Sequence, residues 1–235
     1  MPGCLYLVST PIGNLGDMTL RAIRVLKKAD IVAAEDPARI QPLLAHYGIE
    51  TPVTSYHNQS KEEKAPVLIA RMQDGQQVAL IVDAGTPVIA DPGAFLVTRA
   101  LDAGIRVSPV PGASALLAAL TVSGLPADAF LFSPLPEAPA ARRRLLLAGK
   151  ADRRTHVFFV PARRLRPAVE EIRDLWGNRR LTVAVNLTTS AEQVHRGSAQ
   201  SLLDAAIWPV HGDATLVVEG ARALRRGTKK RKKPR

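Results

Sequence analysis

The feature that most constrains this chain is a recurring pattern: a short apolar run, a loop rich in Gly, Pro and Asp, then a segment whose apolar residues recur every three or four positions. Leu5 to Val8 is the first such run, and it ends in Ser-Thr-Pro-Ile-Gly-Asn. Thr19 then opens a helix, with Leu20, Ile23 and Leu26 on one face and Arg21, Arg24, Lys27 and Lys28 mostly on the other. The same reading predicts strands at residues 30–34, 54–56, 78–82 and 105–110, and helices at 42–47 and 62–73. Strand and helix alternating over short connections predict an α/β fold with a mostly parallel sheet covered by helices.

After Gly124-Leu125-Pro126 the texture changes. Fresh strands are predicted at 129–132, 156–160, 181–185 and 214–219, and helices at 166–176 and 199–206. Two domains follow: residues 1–124, with a mostly parallel sheet, and residues 125–222, with a mixed α/β sheet, the two enclosing a cleft. Residues 223–235 are read as a basic, disordered tail. The apolar stretch Ala113 to Leu125 falls short of the roughly 20 residues of a membrane span and is read as a buried helix.

Charge is unevenly placed. The 235 residues carry a net charge of +11, and eight of the 32 Lys and Arg lie in the last eleven residues. Such a polycation adds salt-dependent attraction to phosphate without sequence preference. A single cysteine, Cys4, excludes an intrachain disulfide and a cysteine-based zinc cluster. The start of the chain lacks the basic and long apolar regions of a secretion signal, so the cytoplasm is the expected location and no membrane partner is expected. No metal site is suggested, because the five histidines are scattered.

Open parallel sheets bind ligands beyond the carboxyl ends of their strands. Three loops have that placement: Thr10 to Asp17, Asp83 to Gly93, and Pro111 to Ala115. The second is the most informative. Its glycines let a ligand approach the main chain, its prolines fix turns, and its carboxylates accept hydrogen bonds from ribose hydroxyls or an amino group. Ser114 alone reads equally well as a helix cap. The first loop has neither the GxGxxG spacing nor a Walker lysine, so dinucleotide and nucleoside triphosphate binding do not follow.

Taken together, LYLVSTPIGNLGDMTLRA, ADIVAAED, HYGI, SYHN, DAGTPVIADPG, PGASAL and SGLP resemble the tetrapyrrole-methylase-like (class III) methyltransferases. Within that family they resemble the branch that methylates a cytidine 2′-hydroxyl in small-subunit (16S) ribosomal RNA. The resemblance implies a homodimer of two-domain subunits using S-adenosyl-L-methionine, with ribosomal RNA in the small ribosomal subunit as partner. It implies cofactor contacts from Asp83, Ala84, Gly85, Thr86, Pro87, Asp91, Ser114 and Ala115. Asn14, Asp17, Glu35 and Asn58 would line the substrate side, with Arg142 and Arg143 in a basic run the family shares. Asp36 and His57 are the candidate bases for the hydroxyl proton, being of types that can take a proton near neutral pH; Asp36 reads alternatively as a helix cap and His57 as a structural histidine.

The departures gather in the second half, where Val160-Pro161-Ala162-Arg163-Arg164 and Val185-Asn186-Leu187-Thr188-Thr189 replace charged family runs. They motivate one alternative, a catalytically lapsed RNA- or ribosome-binding relative; the shared fold leaves a second, a methyltransferase acting on a small molecule such as a tetrapyrrole.

Overall fold

The computed structural model describes residues 2–205, 207–208 and 212–222. The basic tail at 223–235 lies outside the described residues. By internal contacts the chain forms two units. The first runs to Ala119 and includes Val185–Gln193; the second comprises Leu120–Ala184 and the residues from Val194 on. The break therefore falls slightly before the 124/125 boundary read from sequence, and a short later segment joins the first unit.

In the first unit, β1 (Cys4–Val8), α1 (Leu20–Lys28), β2 (Ile31–Ala34), α2 (Pro37–His46), β3 (Val53–Ser55), α3 (Lys61–Gln73), β4 (Gln77–Ile81), α4 (Gly93–Asp102) and β5 (Arg106–Val110) follow in order. The strands form one sheet in the order β3-β2-β4-β1-β5, with every pairing parallel. Strand periodicity explains why it carries helices on both faces. Val32 and Ala34 of β2 with Ala79 and Ile81 of β4 pack on α1 and α2, whereas Ile31, Ala33, Val78 and Leu80 pack on α3 and α4. Local chemistry sets the helix starts. Thr19 caps α1 by accepting the Ala22 N–H at 3.1 Å, and Asp36 caps α2 with Pro37 in its first turn. That cap begins α2 five residues earlier than periodicity alone suggests.

The helix α5 (Ala115–Val122) corrects one expectation. Apolar on every side, it was read as buried, yet only Ala119 and Leu120 are buried while Leu117 is 52% and Val122 38% exposed. Apolarity all round shows that a helix tolerates burial; whether anything covers each side depends on its neighbours.

The second unit holds β6 (Phe130–Pro134), α6 (Pro139–Gly149), β7 (Thr155–Pro161), α7 (Leu165–Trp176), β8 (Arg180–Val185), β9 (Gln193–Ser198), α8 (Ala199–Asp204) and β10 (Asp213–Val218). Its sheet runs β6-β7-β10-β8-β9 and is mixed, since β7 pairs parallel with β6 and antiparallel with β10. Leu165, Val169 and Ile172 of α7 are buried together with Leu216 and Val218 of β10. Three elements had no counterpart in the sequence reading, namely α4, α6 and β9. No helix among the described residues is long and apolar enough to cross a membrane.

Candidate functional site

In the first unit, β4 and β1 are central neighbours, and their carboxyl-end loops leave in opposite directions, towards β5 and towards β2. This is the placement at which open α/β sheets bind ligands. The three loops singled out from sequence meet here and are tied together by side chains at the end of β1. Thr10 and Gly85 exchange backbone hydrogen bonds of 2.9 and 3.1 Å, and the Thr10 hydroxyl donates to the Val82 carbonyl at 3.0 Å. Ser9 donates to the Thr86 hydroxyl at 3.2 Å, which donates to the Ala113 carbonyl at 3.1 Å. Ser9 and Thr10 are buried polar residues to which sequence reasoning gave no individual role, although Thr10 opens the first candidate loop. Their one trace in the sequence was a pair of hydroxyls closing an apolar run.

The 83–93 loop is strained. Val88 and Ala90 take φ of 78° and 60°, in the left-handed region that a β-branched residue rarely enters, and Gly85 takes 90°. Such strain costs of order 1–3 kcal/mol per residue and gathers at ligand sites. Asp91 holds the turn, its Oδ1 accepting the Gly93 N–H at 2.7 Å and the Val88 N–H at 3.3 Å. Close packing also fixes the first loop. A Cβ on Gly13 would lie 2.6 Å from the Leu187 carbonyl oxygen and 2.5 Å from the Thr189 methyl, so only glycine lets this loop rest on residues 187–189. Asn186 and Thr188 are themselves left-handed, with φ of 50° and 66°.

Carboxylates concentrate around these loops. Asp83 forms an ion pair through Oδ2 with Arg39 at 2.7 Å, while its Oδ1 is buried and accepts no hydrogen bond. Burial raises the Asp91 carboxyl above the ordinary aspartate range against the pull of its two N–H donors, and nearby Asp83 adds to the rise. Glu35, at the end of β2, is raised by burial and then by the charges of Asp91 and Asp83, with His57 and Arg39 opposing. The Tyr56 phenol is pushed up to about 12, first by burial and then by Asp91, and its hydroxyl is buried without a partner. Arg39 and Tyr56 were missed from sequence; Arg39 follows the Asp36 cap by three residues and so shares its helix face.

The remaining expected residues divide clearly. Asn14 Oδ1 accepts the Gly16 N–H at 2.9 Å and opens the 3-10 turn Leu15–Asp17, where Asp17 is exposed. Asp36 Oδ1 accepts the Ala38 N–H at 2.9 Å, so one oxygen of that carboxylate serves the α2 cap. His57 binds through its main chain, donating to the Ser60 hydroxyl at 3.2 Å, and its ring makes no hydrogen bond among the described residues. Asn58 accepts from Lys61 at 3.3 Å. Ala84 is exposed, Pro87 is buried, and Ser114 and Ala115 open α5. Arg142 and Arg143 lie on α6 in the second unit. Arg142 forms an ion pair with Glu171 at 2.6 Å and donates to the carbonyls of Pro136 and Glu137, so its charge is already engaged; Arg143 is exposed.

With this geometry in place, comparison with known proteins gives the class. The family model for Tetrapyrrole (Corrin/Porphyrin) Methylases matches residues 4–203, and the chain belongs to that family; it is a methyltransferase. Among its relatives is a protein from Mesorhizobium japonicum named Ribosomal RNA small subunit methyltransferase I, 50% identical, covering 85% of this chain and 69% of the relative. A protein of the same name from Halalkalibacterium halodurans is 41% identical over 93% of this chain and 76% of its own length. Among solved structures, uroporphyrin-III-C-methyltransferase from Thermus thermophilus aligns with a TM-score of 0.66 at 24% identity, over 92% of this chain and 94% of that one, a likeness of fold alone.

Proposed function

We propose that the protein transfers the methyl group of S-adenosyl-L-methionine to a cytidine 2′-hydroxyl of 16S ribosomal RNA, acting as a cytoplasmic homodimer on the small ribosomal subunit. The observation that carries this reading is the identity of 50% to a relative named Ribosomal RNA small subunit methyltransferase I. The loops suit the cofactor: the free, buried Asp83 Oδ1 is an acceptor of the kind a ribose hydroxyl or an amino group needs. The strained main chain of Val88 and Ala90 supports a loop shaped for a ligand rather than for its own stability.

On this reading Asp83, Ala84, Gly85, Thr86, Pro87, Asp91, Ser114 and Ala115 hold the cofactor, which supplies an electrophilic methyl on a sulfonium. Asn14, Asp17, Glu35 and Asn58 position the acceptor ribose, and Arg142 and Arg143 belong to the RNA-contacting residues by the family resemblance alone. In-line displacement depends chiefly on alignment, which the hydroxyl ties among Ser9, Thr10, Thr86 and Ala113 support by fixing the loops. The 2′-hydroxyl proton goes to Asp36 or His57. His57 is the better placed to receive it, because its ring makes no hydrogen bond among the described residues whereas an oxygen of Asp36 is held by the cap. The uncovered Leu117 and Val122 of α5 offer apolar surface to a second copy.

The test is titration with S-adenosyl-L-methionine followed by tritium transfer from it to small subunits that lack the modification. Binding with transfer to the cytidine ribose is expected. Binding with transfer only to a tetrapyrrole, or with no transfer at all, overturns the RNA assignment.

A further inference from the structure

One strongly charged surface has no part in the site just described. On α1, Arg21, Arg24, Lys27 and Lys28 are all exposed, and none forms an ion pair among the described residues. Arg21, Arg24 and Lys28 fall at helical spacing on one stripe, about 10 Å long at 1.5 Å per residue. Beside the stripe is a groove of about 450 Å³ lined by these three cations with Tyr6, Val25 and Gln77, and by no acid. A further cation, Arg106, donates to the Tyr6 hydroxyl at 3.5 Å. Asp30 stands at the edge of the groove, accepting the Gln77 N–H at 2.6 Å, one acid against Arg21, Arg24, Lys28 and Arg106.

Like charges four apart on a helix repel, and a helix needing only solubility would intersperse acids, as α7 does with its Arg166–Glu170 pair. The second unit's arginines illustrate the contrast, for Arg142, Arg154 and Arg180 are each paired with a carboxylate. An uncompensated basic stripe along a groove matches a partner with regularly spaced negative charge. The stripe also begins four residues after Asp17, where the substrate-side loop ends.

We propose that the α1 groove is a docking surface for the phosphodiester backbone of the RNA flanking the methylated nucleotide. The proposal rests on the ribosomal RNA reading above and adds to it a contact surface outside the cofactor loops. Its contribution is electrostatic and sequence-independent, so it sets affinity and salt dependence rather than the choice of nucleotide.

The test compares the full chain with the triple variant Arg21→Gln, Arg24→Gln, Lys28→Gln. Binding to unmodified small subunits and to deproteinised 16S RNA is measured from about 50 to 200 mM salt. The variant is expected to keep wild-type cofactor affinity and thermal midpoint, which shows that it folds. Its RNA affinity should fall at least about tenfold at low salt, with the slope of log affinity against log salt shallower by about 2, as loss of three phosphate contacts predicts. KM for subunits should rise with kcat unchanged, and Arg21→Lys with Arg24→Lys should restore the slope. An unchanged slope overturns the groove. A loss seen with intact subunits but not with deproteinised RNA assigns it to a ribosomal protein and overturns the RNA proposal. Failure of the wild type to methylate subunits sinks the enzymatic reading instead, and the difference in slope between wild type and variant still decides the groove.

Discussion

The two five-stranded sheets use their polar residues in opposite ways. Around the loops of the first unit, Asp83 Oδ1, the Tyr56 hydroxyl and Thr188 Oγ1 are buried without partners, and two non-glycine residues of the 83–93 loop sit in left-handed backbone. In the second unit the charged side chains are largely engaged: Arg142 with Glu171, Arg154 with Asp152, and Arg180 and Arg222 with Glu219. Among the described residues the second unit has two unpartnered buried nitrogens, His156 Nε2 in an aromatic cluster with Phe158 and Trp176, and Trp208 Nε1, whose ring lies under Arg166. A buried polar atom without a partner costs free energy, so the three in the first unit support the reading of its loops as a ligand site.

The comparison breaks most sharply at glycines. Gly13→Ala forces the first loop away from the Leu187 carbonyl, and is expected to lower methyl transfer more than about a hundredfold, since misplacement by about 1 Å costs that much. Gly177→Ala in the second unit, at φ 82° and ψ −173°, a backbone region essentially reserved to glycine, should leave transfer unchanged while costing about 1–3 kcal/mol in denaturant unfolding. Equal losses in both variants would erase the distinction.

Charge removal sharpens it next. Asp83→Ala is expected to weaken cofactor binding about tenfold or more by calorimetry, the loss of about 1.4 kcal/mol or more typical of a hydrogen bond to a charged group. Arg142→Ala should leave cofactor affinity within about twofold while lowering stability by about 1–2 kcal/mol, because Glu171 is left partly buried without its partner. Should Arg142→Ala abolish subunit binding with stability intact, the arginine's role lies in the substrate and not in the fold.

Two pH effects follow, both smaller. Burial, chiefly, holds the His156 imidazole below its ordinary value, so the unfolded chain takes up a proton that the folded chain resists. Stability from this group is present above about pH 6.5 and is lost as pH falls below it. Unfolding measured between pH 7 and 5 should show that loss, and His156→Phe should flatten it. Glu35 has the reverse sign for an acid: its raised carboxyl favours the fold at low pH, and that contribution disappears as pH rises past the ordinary glutamate range. Glu35→Gln is therefore expected to raise the thermal midpoint slightly at pH 7, and a lowered midpoint would mean the carboxylate makes a stabilising contact.

Much of the first unit was legible because its elements are patterned locally. The strand and helix periods, the Thr19 and Asp36 caps and the Gly- and Pro-rich loops all depend on residues close in sequence. Less of the second unit was readable, since α6 has mixed rather than striped apolarity and β9, QVHRGS, lacks an apolar run. Within the site, the loops were legible and their fastenings were not: Ser9 to Thr86 spans 77 positions and Arg39 to Asp83 spans 44.

By itself, then, the sequence determined the parallel α/β order, the three loops and the family motifs they carry, because each follows from short-range period and turn chemistry. Tertiary structure alone decided which charges remain available. It engaged Arg142 with Glu171, left the α1 cations without ion pairs among the described residues, uncovered one side of α5 and brought residues 187–189 onto Gly13. The physical reason is that pairing, burial and close approach depend on what lies across space, and local periodicity carries no record of it.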